Sequence, residues 1–407
     1  MKEKKSINKE SIQKFLLFLY LVSISAYKLG TGMDDIIIKI LPISFLVLIT
    51  LFNIRKIVIS KILKWYIIFW LFYILSLLWT ESVKYTMQLL PYIIYILPAI
   101  YCMPFIIKGK NDIEDCMKLV IYSFLYTILL ILIRSGIGSI GSIRYGFEVG
   151  LHPNSFGSRM VIGSMFSLYF ANSEKYKRKK VFYFFLTFLF GFMTVFSGSR
   201  KAIITLLLGF TLYEIFLAKG FKVLINTFKS FLIVGLIIFI TFNNPLAYNI
   251  LGSRFENLYN MVFEDEMDTG IVKRNFYAEN AIMLFKEKPI IGVGGNGFKA
   301  YMDFIDYKHI VYSHNNYLEL LSTLGIIGFL LYYYIWIYVI MGLIKSFKKK
   351  NDNLNLNFLI IIGIILITDL GNVSYYTEIN MVVLSLAVLY LHFNKSSNVK
   401  AINDMGV

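Results

Sequence analysis

Four arginines occupy positions where a guanidinium group could bind a substrate. They are Arg159 in HPNSFGSR, Arg200 in FSGSRK, Arg254 in LGSRFENL and Arg274 in VKRNFYAEN, and the first three directly follow a Gly-Ser pair. The planar guanidinium can bond two oxygen atoms at once, which suits it to a diphosphate. An arginine within a membrane also needs a polar partner, so a structural role at a helix interface is the alternative for each.

Two histidines, His152 in HPNSFGSR and His314 in SHNNYLEL, each open an apolar segment. Because imidazole can accept a proton near neutral pH, His314 is the candidate general base. A histidine at a helix start also serves as a cap or a hydrogen-bonding anchor, and this alternative stays open for both. Of the other two histidines, His309 is predicted to be a surface residue and His392 a structural one.

Other motifs point away from nucleotide and metal chemistry. The sequence GVGGNG matches G-x-G-x-x-G at Gly292, Gly294 and Gly297, but no strand precedes it, so a turn that shapes a pocket is the better interpretation. The acidic run FEDEMD at 263–268 could hold a hard cation, although a solvated loop is the simpler interpretation. The chain has no Cys/His cluster of the kind that binds zinc. We therefore expect neither a metal nor a cofactor.

The elements that must position these residues are membrane helices. Only 16% of the 407 residues are charged, 57% are hydrophobic and the mean hydropathy is +0.65. A soluble domain has roughly 25% charged residues, so a water-soluble globular protein is excluded. A membrane-spanning helix needs about 20 apolar residues, and the sequence predicts an all-α, polytopic membrane bundle of about twelve such helices. They lie near 12–29, 35–53, 62–79, 86–107, 117–133, 155–172, 181–197, 201–218, 222–241, 316–344, 357–370 and 376–392.

The formal net charge of +16 is explained by the orientation of these helices. Short loops rich in Lys and Arg stay in the cytoplasm. The N-terminal lysines and the basic loops at 55–61, 175–180 and 345–350 then lie inside, and both termini are predicted to be cytoplasmic. The basic charge therefore indicates topology and contact with anionic lipid, and no nucleic-acid partner is expected.

Two predicted outer segments, 134–154 and about 241–315, are longer than the other connections. Long ordered loops often carry function. Within the second, the pattern predicts an amphipathic helix that ends before Pro289. Its expected apolar face consists of Ile271, Phe276, Ala281, Ile282 and Phe285.

The chain accordingly divides into four predicted parts. Residues 1–133 hold N-terminal transmembrane helices, and 134–241 hold central transmembrane helices with the arginine motifs. Residues 242–315 form one large extracytoplasmic loop with short helices. Residues 316–407 hold C-terminal transmembrane helices and a cytoplasmic tail.

Four motifs in a fixed order resemble the O-antigen ligase and O-antigen polymerase (Wzy-type) superfamily of bacterial membrane proteins. They are HPNSFGSR at 152–159, SGSRKAIITLLLG at 197–209, Arg274 with the following helix and KPIIGVGGNGF at 288–298, and SHNNYLELLSTLGIIGFLLY at 313–332. The resemblance covers the C-terminal two-thirds of the chain, and the first 130 residues match only as generic spans. The resemblance rests on the order, spacing and topology of the four motifs taken together.

The resemblance implies a GT-C-like membrane glycosyltransferase that uses an undecaprenyl-diphosphate-linked oligosaccharide on the outer leaflet. Transfer is expected to be inverting and to need neither a nucleotide nor a metal. Arg200 and Arg274 would bind the diphosphate and stabilise its developing charge, and His314 would act as general base toward the acceptor hydroxyl. Substrate-binding roles are predicted for Arg159, His152, Arg254, Asn315 and Tyr317.

Both polymerases, which join lipid-linked repeat units, and ligases, which move a finished glycan to another acceptor, share these motifs. The Ile-, Lys-, Asn- and Tyr-rich composition weakly favours a capsule or exopolysaccharide polymerase. A lipid-linked glycan flippase or transporter is the alternative from another class, and it would place its polar residues in a mid-membrane cavity.

The same resemblance sets the expected location and partners. We expect the protein in the bacterial cytoplasmic membrane, with its active site on the extracytoplasmic face. The expected partners are the lipid-linked donor, the glycan acceptor, the bilayer, and flippase and chain-length regulator proteins.

Overall fold

The computed structural model describes residues 9–26, 33–51, 60–136, 143–217, 269–305, 311–350 and 352–404, with isolated positions between 218 and 268. Over these residues the chain forms helices joined by turns, and no strand occurs in this part of the chain. The all-helical fold class is therefore confirmed.

The α-helices of the described residues are numbered here in chain order. Helices α1 to α5 are Lys9–Ala26, Met33–Leu51, Lys61–Leu75, Val83–Met87 and Pro91–Ile106. Helices α6 to α9 are Lys110–Ser135, Pro153–Ser173, Lys177–Phe196 and Arg200–Leu217. Helices α10 to α14 are Thr269–Glu287, Gly297–Phe304, Asn316–Lys350, Asn353–Asp369 and Glu378–Asp404.

Every predicted span except 222–241 coincides with one of these helices or with adjacent ones, and that span lies outside the described residues. Among the described residues, five helical stretches are long and apolar enough to cross a membrane: Lys61–Leu78, Val83–Ile106, Lys110–Ser135, Lys177–Phe196 and Asn316–Lys349. These apolar helices indicate a membrane protein. The count of twelve spans and the side on which the long loop lies stay predictions.

Helices α7 and α8 illustrate how the bundle separates its interior from its surface. Helix α7 is buried along almost its whole length and packs against α6, α8, α9 and α13. Helix α8 instead exposes Phe185, Phe188 and Phe192. Such an apolar surface is unfavourable in water and suits contact with lipid. Helix α7 is one of the elements that carry polar side chains, such as Arg159 and Ser164, into the protein interior.

Helix α12 is interrupted at Gly325, where the backbone is non-helical (φ 64°, ψ −169°). A break within a membrane helix frees polar backbone groups that need other partners. The segment 289–294 supplies them. The amides of Val293 and Gly294 donate to the carbonyls of Ser322 (3.0 Å) and Thr323 (2.8 Å). In return, the amides of residues 326 and 327 donate to the carbonyls of residues 289 and 290 at 2.9 and 3.2 Å.

Two glycines make this close backbone pairing possible. Gly292 and Gly325 both have positive φ, at 69° and 64°. A Cβ atom at Gly292 would collide with the backbone of Thr323, and one at Gly325 would collide with the backbone of Ile290. Gly292 of GVGGNG therefore allows a close backbone contact within the protein. That the turn shapes a pocket stays a prediction.

The same segment is also held from its other side, by the connection between α3 and α5. The amide of Gly295 donates to Ser76 Oγ at 2.8 Å, and its carbonyl accepts a hydrogen bond from Thr86 Oγ1 at 2.7 Å. The Asn296 side chain donates to the carbonyl of Tyr85 at 2.9 Å. Residues 289–296 are thus bound between α12 and the 76–90 region.

Helix α10 ends at Glu287, two residues before Pro289, as the pattern predicted. Its buried face agrees with the prediction at Ala281 and differs elsewhere, because Tyr277 and Leu284 are buried while Ile282 is 40% exposed. Helix α10 packs on α12, and its buried side chains form a small apolar cluster with α11. Tertiary contacts therefore bury a face of α10 that is slightly rotated from the face that the apolar periodicity predicted. The full cluster is Tyr277, Ala281, Leu284, Val293, Phe298 and Met302.

Candidate active site

His314 lies immediately before α12, with its ring between two tyrosine rings. Its centroid is 4.4 Å from that of Tyr312 and 5.6 Å from that of Tyr277, and the Tyr277 ring stacks on it at an interplanar angle of 20°. The backbone of His314 is left-handed, with φ 57°. This conformation is uncommon for a residue with a side chain and persists only where neighbouring contacts impose it. The imidazole is therefore held in one orientation.

The neighbours of His314 impose that conformation. Asn315 caps α12, because its Oδ1 accepts hydrogen bonds from the amides of Tyr317 (3.0 Å) and Leu318 (3.2 Å). The amide of Ser313 donates to a carboxylate oxygen of Glu319 at 2.8 Å, and Glu319 is almost fully buried. Helix α12 thus starts at a fixed point, and His314 is anchored on both sides.

Asn315 and Tyr317 already make contacts within the protein. The Asn315 side chain is used as the cap, and the Tyr317 hydroxyl donates to the carbonyl of Leu366 at 2.9 Å. The Tyr317 ring stacks on Tyr333 at 4.9 Å and 9°. Their predicted contact with substrate stays a prediction, and a positioning role for both is visible in the geometry.

Three cationic or titratable side chains act electrostatically on His314: Arg274 of α10, Lys201 of α9 and His152, the cap residue of α7. Burial lowers the pKa of His314, and the charges of Arg274, His152 and Lys201 lower it further, to about 4. Arg274 lies on α10 three residues before Tyr277, so both belong to the face that meets His314. The imidazole is consequently neutral at pH 7 in the ligand-free protein and able to accept a hydrogen bond.

Arg200 is the first residue of α9, and the two residues before it, Gly198 and Ser199, form the turn that caps the helix. Ser199 Oγ accepts a hydrogen bond from the amide of Ala202 at 3.3 Å. Gly198 has φ 61°, and a Cβ there would lie 2.8 Å from Arg144 Nε. Since a helix N-terminus is partly positive, Arg200 adds its charge at a place that already favours an anion.

Lys201 and Arg144 were not predicted from the sequence. Lys201 Nζ donates to the carbonyl of Thr368 at 3.0 Å, and Lys201 also acts electrostatically on His314. Arg144 Nε donates to the carbonyl of Ser197 at 3.1 Å and so holds the turn before Arg200. The sequence signal that could have indicated Lys201 is its position next to Arg200 in the run SRK at 199–201.

Arg159 and His152 both belong to the start of α7. Arg159 is buried, its Nη2 lies 4.0 Å from a carboxylate oxygen of Glu378, and its Nη1 donates to the carbonyl of Ser25 at 3.4 Å. His152 Nδ1 accepts a hydrogen bond from the amide of Asn154 at 3.2 Å and caps the helix. The structural alternative for Arg159 is therefore supported by two contacts.

A cavity of about 280 Å³ connects these elements. It is bounded by α7, α13 and the start of α14, and its wall includes His152, Arg159 and Tyr312. Because Tyr312 also contacts the His314 ring, the cavity adjoins the candidate base. Its size is near the lower end of the roughly 300–1,000 Å³ typical of ligand pockets.

The structure thus brings together most of the predicted residues. His314, Arg274 and His152 interact electrostatically, and Arg159 lies in the wall of the adjoining cavity. Arg200 stands beside Lys201, which belongs to the same group. Arg254, His309 and the acidic run at 263–268 lie outside the described residues.

A family model described as O-antigen ligase (Wzy_C) matches residues 185–333. This range contains the candidate base His314, the cations Lys201 and Arg274 that act on it, and Arg200. A comparison with curated proteins gives no match. The matched family consists of membrane glycosyltransferase-like enzymes. The resemblance to the O-antigen ligase/polymerase superfamily is therefore confirmed over residues 185–333, where the family model matches.

Proposed function

We propose that the protein is a polysaccharide polymerase that joins undecaprenyl-diphosphate-linked oligosaccharide repeat units. The observation that carries this proposal is a fixed, neutral imidazole at His314 beside the cations Arg274 and Lys201. A base for a hydroxyl group and a cationic site for a diphosphate are the two parts that such a transfer requires. The family match supports the same chemical class.

In the proposed reaction, an acceptor hydroxyl oxygen attacks the anomeric carbon of the donor glycan. The new glycosidic bond forms as the bond from that carbon to the diphosphate oxygen breaks, and the diphosphate leaves with the electron pair. Arg200, Arg274 and Lys201 stabilise the charge that grows on it, so no protonating acid is needed. The hydroxyl proton passes to His314. Attack opposite the leaving group inverts the anomeric configuration.

The low pKa of His314 fits a base that becomes stronger when the donor binds. A pKa of about 4 describes a neutral but weak base. Negative charge beside a histidine raises its pKa, so a bound diphosphate would offset the effects of Arg274 and Lys201. On this proposal, His314 becomes a stronger base only when the donor is bound, which limits unproductive proton transfer.

The proposed setting is the bacterial cytoplasmic membrane, with both termini inside. The long polar loop and the His314 region then face the outside, where a lipid-linked glycan is available. Basic loops at 175–180 and 345–350 support this orientation through the positive-inside rule. Flippase and chain-length regulator proteins would be the protein partners in that setting.

A ligase is the second candidate, and the match to an O-antigen ligase family model favours it. A ligase would use the same diphosphate site and base but transfer a finished glycan to a different acceptor. Since both reactions share the residues around His314, the acceptor decides between them.

One experiment separates these candidates. Purified protein is incubated with lipid-linked repeat units, with a chelator and without nucleotide, and the products are resolved by length. A growing ladder supports the polymerase, and transfer that occurs only after a second acceptor is added supports the ligase. Passage of units across vesicles without a new glycosidic bond would contradict both and support the transporter.

A further inference from the structure

The cavity beside His314 has a lining suited to a sugar. Two of its charged wall residues, Arg159 and Glu378, are 5% and 7% exposed and lie on different helices, α7 and α14. Buried charges are costly and mark a functional site when they lie inside a membrane protein. Their side chains face each other at 4.0 Å, which is longer than a direct hydrogen bond.

This pair can bind hydroxyl groups without imposing a net charge. The guanidinium offers N–H donors and the carboxylate offers acceptor oxygens, while each sugar hydroxyl can both donate and accept. Because the two charges cancel, the cavity favours an uncharged ligand over an anion. That property separates it from the cations Lys201 and Arg274, which suit the diphosphate.

Tyrosine rings provide the apolar part of the same wall. Tyr92, Tyr312 and Tyr376 line the cavity, and the rings of Tyr92 and Tyr376 lie 5.0 Å apart. A tyrosine combines an apolar face, against which the C–H groups of a sugar ring can pack, with a polar hydroxyl. The cavity volume of about 280 Å³ accommodates a short piece of glycan rather than a long chain.

The cavity is also adjacent to the base. Tyr312 belongs to the cavity wall and its ring contacts the His314 ring at 4.4 Å. Lys201 reaches the edge of the cavity, where its Nζ donates to the main-chain carbonyl of Thr368, another wall residue. An acceptor hydroxyl must reach His314, whereas the donor sugar is tied to the diphosphate.

We propose that this cavity is the subsite for an uncharged terminal sugar of the acceptor glycan. Glu378, Arg159 and the hydroxyl group of Tyr376 bind its hydroxyl groups, and the Tyr376 ring packs on its apolar face. The assignment rests on the proposed glycosyl transfer and specifies its acceptor side. Glu378 and Tyr376 were not among the residues predicted from the sequence, since nothing local to the start of α14 marks them.

The first test measures transfer kinetics with purified protein and variants E378Q and Y376F. We expect the acceptor KM to rise about ten-fold or more in E378Q, because a charge-assisted hydrogen bond is lost, and the donor KM to stay nearly unchanged. K288A is the matched control, since Lys288 pairs with Glu81 at 3.1 Å on the surface and not in the cavity. An unchanged acceptor KM in both E378Q and Y376F would overturn the assignment.

A binding measurement separates this inference from the proposed function. Saturation-transfer NMR is used to detect the repeat-unit oligosaccharide, free of lipid and diphosphate, on purified protein. We expect binding by the wild type and by R200A, which lacks a diphosphate ligand, and loss of binding in E378Q. If E378Q fails to fold, as judged by size-exclusion chromatography, Y376F and N380A are compared instead, because Asn380 also lines the cavity. Active transfer without detectable sugar binding by the wild type would refute the subsite and leave the function standing.

Discussion

At the scale of single residues, the backbone of His314 and the charges around its ring decide what this side chain can do. The left-handed conformation, the Asn315 cap and the two tyrosine rings hold the imidazole. Burial and the neighbouring cations keep it unprotonated. A surface histidine would have neither property, so the environment rather than the residue type makes His314 a candidate base.

Replacing the base or a diphosphate ligand should abolish transfer while leaving the fold intact. We expect H314A and R200A to lower the transfer rate by about 10²–10⁴-fold and 10²–10³-fold, respectively, values typical of a general base and of one charge-stabilising donor. Glycan ladders from cells that express each variant provide the measurement, with membrane levels checked by immunoblot. Wild-type ladders in both variants would remove these residues from the site.

The charge of Lys201 should be visible in the pH dependence. Lys201 lowers the pKa of His314, so K201M should raise that pKa toward the ordinary value for histidine. In the pH profile of kcat/KM, which reports the free enzyme, the acidic limb should then move to higher pH. The donor KM should rise about ten-fold. K201R, which keeps the charge, is the control and should retain the wild-type limb. A limb that does not move in K201M contradicts the electrostatic role.

Donor binding should raise the pKa of His314, which the neighbouring cations lower. Since the diphosphate is negative, His314 should bind its proton more tightly in the complex than in the free protein. The acidic limb of kcat should therefore lie at higher pH than that of kcat/KM, whose limb follows a pKa of about 4. Coincident limbs would show that the bound diphosphate does not reach His314.

At the scale of elements, the interruption of α12 joins the long loop to the membrane bundle. The backbone of 289–294 pairs with α12 on either side of Gly325, and the 76–90 region holds the same segment from the other side. The first part of α12 begins directly after His314. The position of the base therefore depends on a contact between two segments that are both rich in glycine.

Substituting one of these glycines should destabilise the protein. Gly325 and Gly292 have positive φ, and an added Cβ would collide with the backbone opposite. We expect G325A and G292A to lower the free energy of unfolding by about 1–3 kcal/mol or more, and with it the melting temperature in detergent. Both variants should also reduce transfer. G363A in α13 is the matched control, because a Cβ there meets nothing within 4 Å. Equal melting temperatures for G325A and G363A would argue against the pairing.

At the scale of the whole molecule, the proposed membrane orientation rests on the +16 charge and the apolar helices. In the proposed orientation, the basic start of α8 faces the cytoplasm and α10 faces outside. This arrangement separates the charge that sets topology from the few cations that gather around His314.

Cysteine labelling tests that orientation. Cys102 and Cys116 are both buried, so the native background should be low. We expect E287C, at the exposed end of α10, to react with an impermeant maleimide in intact cells, and R178C, at the exposed start of α8, to react only after lysis. The reverse pattern would place the candidate site in the cytoplasm and contradict a lipid-linked donor on the outer leaflet.

The sequence alone predicted the helices, because an apolar run of membrane length marks a span without reference to any neighbour. It also pointed to His314, Arg200 and Arg274 by residue type and motif order. The end of α10 before Pro289 was predictable for a similar reason, since proline acts on the backbone locally.

Only the tertiary structure decided which residues meet. Tyr277 rather than Ile282 is buried in α10, Lys201 joins the cations around His314, and Arg159 of α7 pairs with Glu378 of α14. Each of these facts depends on packing between helices that are distant in the chain. Helix periodicity describes one helix at a time, so it cannot specify the rotation of a helix against its neighbours or the cavity that forms between them.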